Sequence, residues 1–366
     1  MNKIRSSKRS NQSSIALGLI ERAVLQGLMR LPAKVLLRTL RQNPIVIDGR
    51  NLNAEMQVIL HLQNLTQAPG LSGLPPVESR ANIVRTAKIH GLRIPEVSVI
   101  DLKIPSRVDH EIPARLYRLK TNDNAPLVIF YHGGGFVLGG VEAYDDVCRF
   151  ICRELDCPVL SIEYRLAPEH PYPAGLEDAV DSFRWAQANA QVLKVNPNRL
   201  VVAGDSAGGN FATVLCQLAV EEKRAGPFVQ LLIYPTADRS KTYPSEKLFG
   251  KGFFLTDRDL AYFQEHYSTG KSLRSEDLSR ELLNPRISPI HGTLTGLAPA
   301  IIVTAGFDPL RDEGAAYAKA LQAAGTKTEL IECSDMIHGF INMIGFSRAA
   351  RREFAKILSV VRAQLQ

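Results

Sequence analysis

Residues 201–211 read VVAGDSAGGNF, and the reading of the whole chain turns on them. A strand-like apolar run ends here, and a helix-like run begins at once after a turn of small residues. The turn carries Gly204-Asp205-Ser206-Ala207-Gly208, a G-x-S-x-G pattern. Composition alone produces that pattern in roughly one chain in ten of this length, so by itself it says little. Its place between strand and helix says more. Small flanking residues let the backbone turn so sharply that the serine is strained and lifted above the end of a sheet, the geometry of a nucleophile elbow. The competing reading, Ser206 as an ordinary helix N-cap, is disfavoured by that context.

Outward from the elbow, apolar runs alternate with helical ones. Residues 96–104, 114–120, 125–131, 158–164, 199–204, 229–235, 298–306 and 327–333 read as strands, the first two as edge strands. Helices are expected over 176–190, 207–222, 312–325 and 348–365. Continuous apolar strands alternating with helices imply an α/β fold with a mostly parallel central sheet covered on both faces. Residues 236–284 interrupt the alternation with a polar, loosely helical stretch. At the carboxyl edge of such a sheet, an insertion of this kind is where lids and substrate pockets sit.

A serine hydroxyl needs a base to become a nucleophile, and in this topology an acid and then a histidine follow the serine along the chain. Only His266, His291 and His338 come after Ser206. His338 follows the strand 327–333, whereas His266 lies inside the insertion and His291 precedes a strand. At the end of the strand before it, Asp308 stands at a turn marked by Pro309; Asp312 falls in the first turn of the next helix, where its charge suits the dipole. Ser206, Asp308 and His338 are therefore the expected nucleophile, orienting acid and base.

Attack on an ester carbonyl creates an oxyanion that needs preorganised donors, each worth roughly 3–4 kcal/mol of barrier. Residues 131–140, YHGGGFVLGG, follow an apolar strand with five glycines in ten positions. The spacing lacks the third glycine of a dinucleotide fingerprint and the Gly-Lys-Ser/Thr of a phosphate loop. The N–H groups of Gly133 and Gly134, with that of Ala207, are the expected oxyanion hole. His132 is read as a brace of the loop, not the base.

HGGGF, YRLAPEHPYPAGLEDA, GDSAGGN, DPLRDEG and HGF occur in this order over about residues 80–366. Together they resemble the hormone-sensitive-lipase-like family of α/β-hydrolases, the bacterial family IV esterases. The resemblance implies an α/β-hydrolase fold with a helical cap built from N-terminal helices, 15–80, and the insertion 236–284 of a catalytic domain 81–366. It implies the same Ser206, Asp308, His338 triad and the same oxyanion donors, with no metal or other cofactor. It makes Glu169, His170 and Glu177 structural. It points to short or medium acyl esters, with Phe136 and Leu138 lining the pocket. The activity implied is that of a carboxylesterase acting through an acyl-enzyme. The same triad serves lipases, lactonases and amidases, and some proteins of this fold bind ligands without catalysis.

The formal charge is +7, but residues 1–41 hold nine Lys or Arg against Glu21 alone, which exceeds the whole surplus. The remainder is close to neutral, and no motif supports nucleic-acid binding. Residues 1–14 read as a disordered basic tail. From 15 to 40 the pattern is helical, with Leu17, Ile20, Val24, Leu28, Leu31 and Val35 on one stripe and a break at Pro32. That stripe is expected to pack as part of the cap, while Arg22, Arg30, Lys34 and Arg38 could meet anionic lipid. Pairing of two copies is a further expectation. Five cysteines form no disulfide framework or zinc spacing and read as buried thiols. No apolar run approaches the length of a membrane span, and Glu21 and Arg22 cut short the signal-like start. The expected location is cytoplasmic, with peripheral membrane contact as the variant.

Overall fold

A computed structural model describes residues 27–119, 124–268 and 275–366. A short hairpin, β1 (Val46–Ile47) and β2 (Arg50–Asn51), precedes the main sheet. That sheet contains β3 (Ser98–Pro105), β4 (Glu111–Arg118), β5 (Ala125–Tyr131), β6 (Val159–Ile162), β7 (Val195–Asp205), β8 (Val229–Ile233), β9 (Ala300–Phe307) and β10 (Thr328–Ile337). Their lateral order is β10-β9-β8-β7-β5-β6-β4-β3. From β10 to β6 every pairing is parallel, and β4 runs antiparallel to both its neighbours.

The described helices are α1 (Ala33–Thr39), α2 (Ala54–Leu65), α3 (Pro76–His90), α4 (Asp145–Leu155), α5 (Ala174–Ala188), α6 (Ala207–Glu221), α7 (Pro244–Phe249), α8 (Asp257–Tyr267), α9 (Ser275–Leu282), α10 (Arg311–Ala323) and α11 (Arg348–Gln364). The residues of β5, β8 and β9 are almost all buried, as continuous apolar strands covered on both faces must be. One face packs against α4 and α11, where Phe150 stacks on Phe354 at 5.5 Å between centroids. The other packs against α5, α6 and α10, with Phe183, Phe211 and Tyr317 in its core.

Three sequence expectations change. Residues 114–118 are not an edge: β4 lies between β3 and β6 and buries Ile112, Leu116 and Tyr117. Its first residues alternate, with Glu111 and Pro113 exposed and Ile112 and Ala114 buried, but the alternation breaks at Tyr117, which is buried with Leu116. The sheet edges are β3 and β10. A boundary at 80–81 would cut through α3, which is continuous from Pro76 to His90. The apolar stripe through Leu31 and Val35 does not hold, since both are exposed while Met29, Leu36 and Leu37 are buried against Ala54 and Val58 of α2. Pro32 ends one helical phase, and the helix that starts at Ala33 takes another. Leu17, Ile20, Val24 and Arg22, like the tail 1–14, lie outside the described residues.

Candidate active site

The elbow forms where β7 meets α6. Ser206 adopts φ 54° and ψ −117°, a conformation that costs a non-glycine residue energy and is held by its surroundings. Its N–H donates to Ile233 O of the adjacent β8 at 2.8 Å. Gly208 explains the motif's second glycine: a Cβ there would lie 1.8 Å from Tyr131 O, so α6 packs against β5 with no room for a side chain.

Loops at the carboxyl ends of β9 and β10 bring in the partners. His338 Nε2 lies 3.1 Å from Ser206 Oγ, and its Nδ1 lies 2.7 Å from Asp308 Oδ2. Asp308 is fully buried and its Oδ1 accepts the Leu310 N–H at 2.8 Å. Asp312 is elsewhere, with Oδ2 accepting the Ser245 N–H at 2.9 Å and so tying α7 to α10. His291 bonds Ser240 Oγ, and His266 bonds Tyr262 O. Neither reaches the serine.

The glycine loop after β5 arches beside Ser206. Gly134 has φ +117°, and a Cβ there would stand 2.3 Å from Leu138 O. The Gly133 N–H, expected to face the oxyanion, is already committed: it donates to Asp205 Oδ1 at 2.7 Å. No acceptor among the described residues takes the N–H of Gly134, Gly135 or Ala207. The open donors are thus Gly134, Gly135 and Ala207, and Gly133 is the anchor that holds the loop.

Sequence reasoning missed the anchor's partner. Asp205 is buried and also accepts from Tyr144 Oη at 3.1 Å and Tyr234 Oη at 3.4 Å. Burial pushes its carboxyl up to about 6, against the pull of His338 and these donors. A signal was present in the sequence: a lone acid closing an otherwise apolar strand must be paired. His132 braces the same loop. It is buried, stacks on Tyr164 at 4.2 Å, and places Nδ1 2.8 Å from Gly133 O. Desolvation lowers its pKa, which favours the neutral ring.

A cavity of about 400 Å³ opens above Ser206, lined by Phe136, Leu138, Leu255, Phe263 and His338 among others. Phe136 stacks on Tyr267 at 3.8 Å between centroids. The roof comes from two stretches, α2–α3 and the segment after β8. They meet where Asp259 of α8 accepts the Ser72 N–H at 2.8 Å. Arg80 of α3 reaches down to the oxyanion loop, donating to Val137 O at 2.7 Å and pairing with Glu169. No group of His, Cys, Asp and Glu suited to a metal occurs among the described residues.

A family model described as alpha/beta hydrolase fold matches residues 128–342, more than half of the chain. The chain belongs to the α/β-hydrolase family, in its hormone-sensitive-lipase-like branch. Carboxylic ester hydrolase LipN of Mycobacterium tuberculosis is 42% identical over 342 residues, covering 91% of this chain and 88% of that protein. Ethyl acetate hydrolase of Pseudomonas putida is 33% identical, covering 80% and 93%. Among solved structures, the hyperthermophilic esterase of Pyrobaculum calidifontis matches with a TM-score of 0.78 at 34% identity, covering 85% of this chain and 98% of that one. The hydrolase fold and the mostly parallel sheet expected from the strand pattern are what the chain has.

Proposed function

We propose that this α/β-hydrolase is a serine carboxylesterase that cleaves short to medium acyl esters through an acyl-enzyme. The unbroken chain Ser206 Oγ, His338 Nε2, His338 Nδ1, Asp308 Oδ2 carries the reading. His338 takes the Ser206 proton as Oγ attacks the carbonyl carbon, and Asp308 holds the ring in the tautomer that leaves Nε2 free. The oxyanion accepts from the N–H groups of Gly134, Gly135 and Ala207. His338 then gives its proton to the departing alcohol, and a water activated by the same nitrogen releases the acid. No step calls for a cofactor. The cap is formed by α2, α3 and the segment after β8, and its apolar lining suits acyl chains of about C4 to C8.

Labelling tests the nucleophile directly. A reactive aryl phosphonate adds one phosphonyl mass to the wild type and none to Ser206→Ala, with hydrolysis of p-nitrophenyl butyrate lost in parallel. Labelling of the variant would move the nucleophile elsewhere. Lactones and anilides assayed beside the ester rank the other acyl-transfer activities.

A cytoplasmic location is supported by five buried, unbridged cysteines, and no helix among the described residues is long and apolar enough to cross a membrane. Peripheral contact with anionic lipid is supported by the exposed Arg30 and Arg38; vesicle sedimentation tests it, as light scattering tests a homodimer.

A further inference from the structure

Arg239 lines the cavity that holds Ser206, yet its guanidinium bonds no acceptor among the described residues. Its surroundings make that unusual. The loop that carries it is pinned on every side. Thr236 N–H donates to Ser206 O at 3.3 Å, Asn210 Nδ2 donates to Thr236 O at 3.0 Å, and Arg239 N–H donates to Ser288 Oγ at 2.8 Å.

The two nearby acids are committed elsewhere. Asp238 accepts from Ser240 and Tyr243 and lies 3.5 Å from His291. Glu313, fully buried under the loop, accepts through Oε1 from Thr236 Oγ1, Ala237 N–H and Asp238 N–H. Its charge attracts Arg239, but it takes no hydrogen bond from the guanidinium. A half-buried cation with its backbone fixed and its side-chain donors uncommitted, at the wall of an apolar cavity, is placed to pair with an anionic group that enters with the substrate. The planar fork of arginine matches a carboxylate through two parallel hydrogen bonds.

We propose that Arg239 binds a carboxylate on the substrate, so that the preferred esters are anionic, with the carboxylate a few carbons from the bond that is cut. This rests on the esterase reading above. Arg239 is three residues from Thr236, which touches the nucleophile's own carbonyl, so at most about 11 Å of chain separates their Cα atoms. In the reaction water adds across the acyl C–O bond, and the carboxylate is unchanged.

Two matched pairs of esters at neutral pH test the idea. Monoethyl adipate against ethyl hexanoate places the carboxylate on the acyl side. 4-Butyryloxybutanoate against butyl butyrate places it on the alcohol side. The readout is the ratio of kcat/KM, anionic over neutral, within each protein, so any general loss of activity cancels.

In the wild type at least one ratio exceeds one. Arg239→Gln lowers that ratio roughly ten- to a hundredfold, and Arg239→Lys falls between. The pair with the larger fall shows which side of the ester carries the carboxylate. Ratios below one for both pairs in the wild type overturn the proposal even if Arg239→Gln fails to fold, and so does an equal ratio in wild type and Arg239→Gln. In those cases turnover of the neutral esters leaves the esterase reading standing. Turnover of none of the four esters removes both.

Discussion

The carboxyl edge of the sheet and the roof above it are built on different tolerances. At the edge, Asp205, Asp308 and His338 are each at most 5% exposed, and a single Cβ on Gly208 would collide with the backbone of β5. Positions are set there by strand ends and backbone contacts that allow few alternatives. The roof meets the edge largely through side chains, such as Tyr267 stacked on Phe136 of the glycine loop and Arg80 donating to Val137 O, and it leaves Leu65, Val77 and Leu248 exposed. Chemistry therefore belongs to the rigid edge, and substrate selection to the surface that can change without breaking it.

The largest effect expected on the edge is loss of the nucleophile: Ser206→Ala lowers kcat roughly 10⁴- to 10⁶-fold while thermal unfolding stays close to wild type. A variant that kept most of its turnover would show that the elbow is not where the bond is broken. Next comes a comparison of two acids only four residues apart. Asp308→Asn misorients the His338 ring and costs about 10⁴-fold in kcat. Asp312→Asn weakens the tie to Ser245 in α7 and the ion pair with Arg311, both away from Ser206, and changes kcat by less than about tenfold. Similar losses at the two positions would erase the line between edge and roof.

The same contrast decides what could be read from residues alone. Ser206, Asp308, His338 and the sheet were legible because each follows an apolar strand and carries unusual chemistry at a turn. The commitment of the Gly133 N–H was not, because its partner Asp205 lies 72 residues away in sequence and only the packing of β7 beside β5 brings them together. The phase of the roof was harder still. Leu31 and Val35 look like a buried stripe, but the turn at Pro32 rotates Leu36 and Leu37 inward instead. Where many apolar residues can satisfy a surface, their spacing does not single out one arrangement.

Asp205 offers a prediction of intermediate size. Asp205→Asn loosens the anchor of the glycine loop and lowers kcat roughly 10- to 100-fold with little change in KM. It also alters the pH dependence of stability. The native carboxyl holds its proton up to about pH 6, whereas the unfolded chain releases it near 4, so the native state binds more protons between those values. Raising the pH from about 4 to 6 should therefore destabilise the wild type relative to Asp205→Asn. Denaturant unfolding of both proteins across that window measures it, and parallel curves would mean that burial does not raise the Asp205 carboxyl above its unfolded value.

The smallest effect should come from the roof, and it should differ in kind. Phe263 of α8 lies against the glycine loop: a Cβ on Gly135 would meet its ring at 2.1 Å. The ring thus closes the cavity directly over the proposed oxyanion donors without supplying a polar group to the reaction. Phe263→Ala removes that wall and opens space toward longer chains, at a cost of about 3–5 kcal/mol in stability if the site does not collapse. Across p-nitrophenyl esters from C4 to C12, the expected result is a few-fold shift of kcat/KM toward the longer members. An edge variant such as Asp308→Asn should depress every chain length by the same factor. If Phe263→Ala instead reduced all chain lengths equally, the ring would be holding the oxyanion loop in place, and the division between a reacting edge and a selecting roof would have to be redrawn at α8.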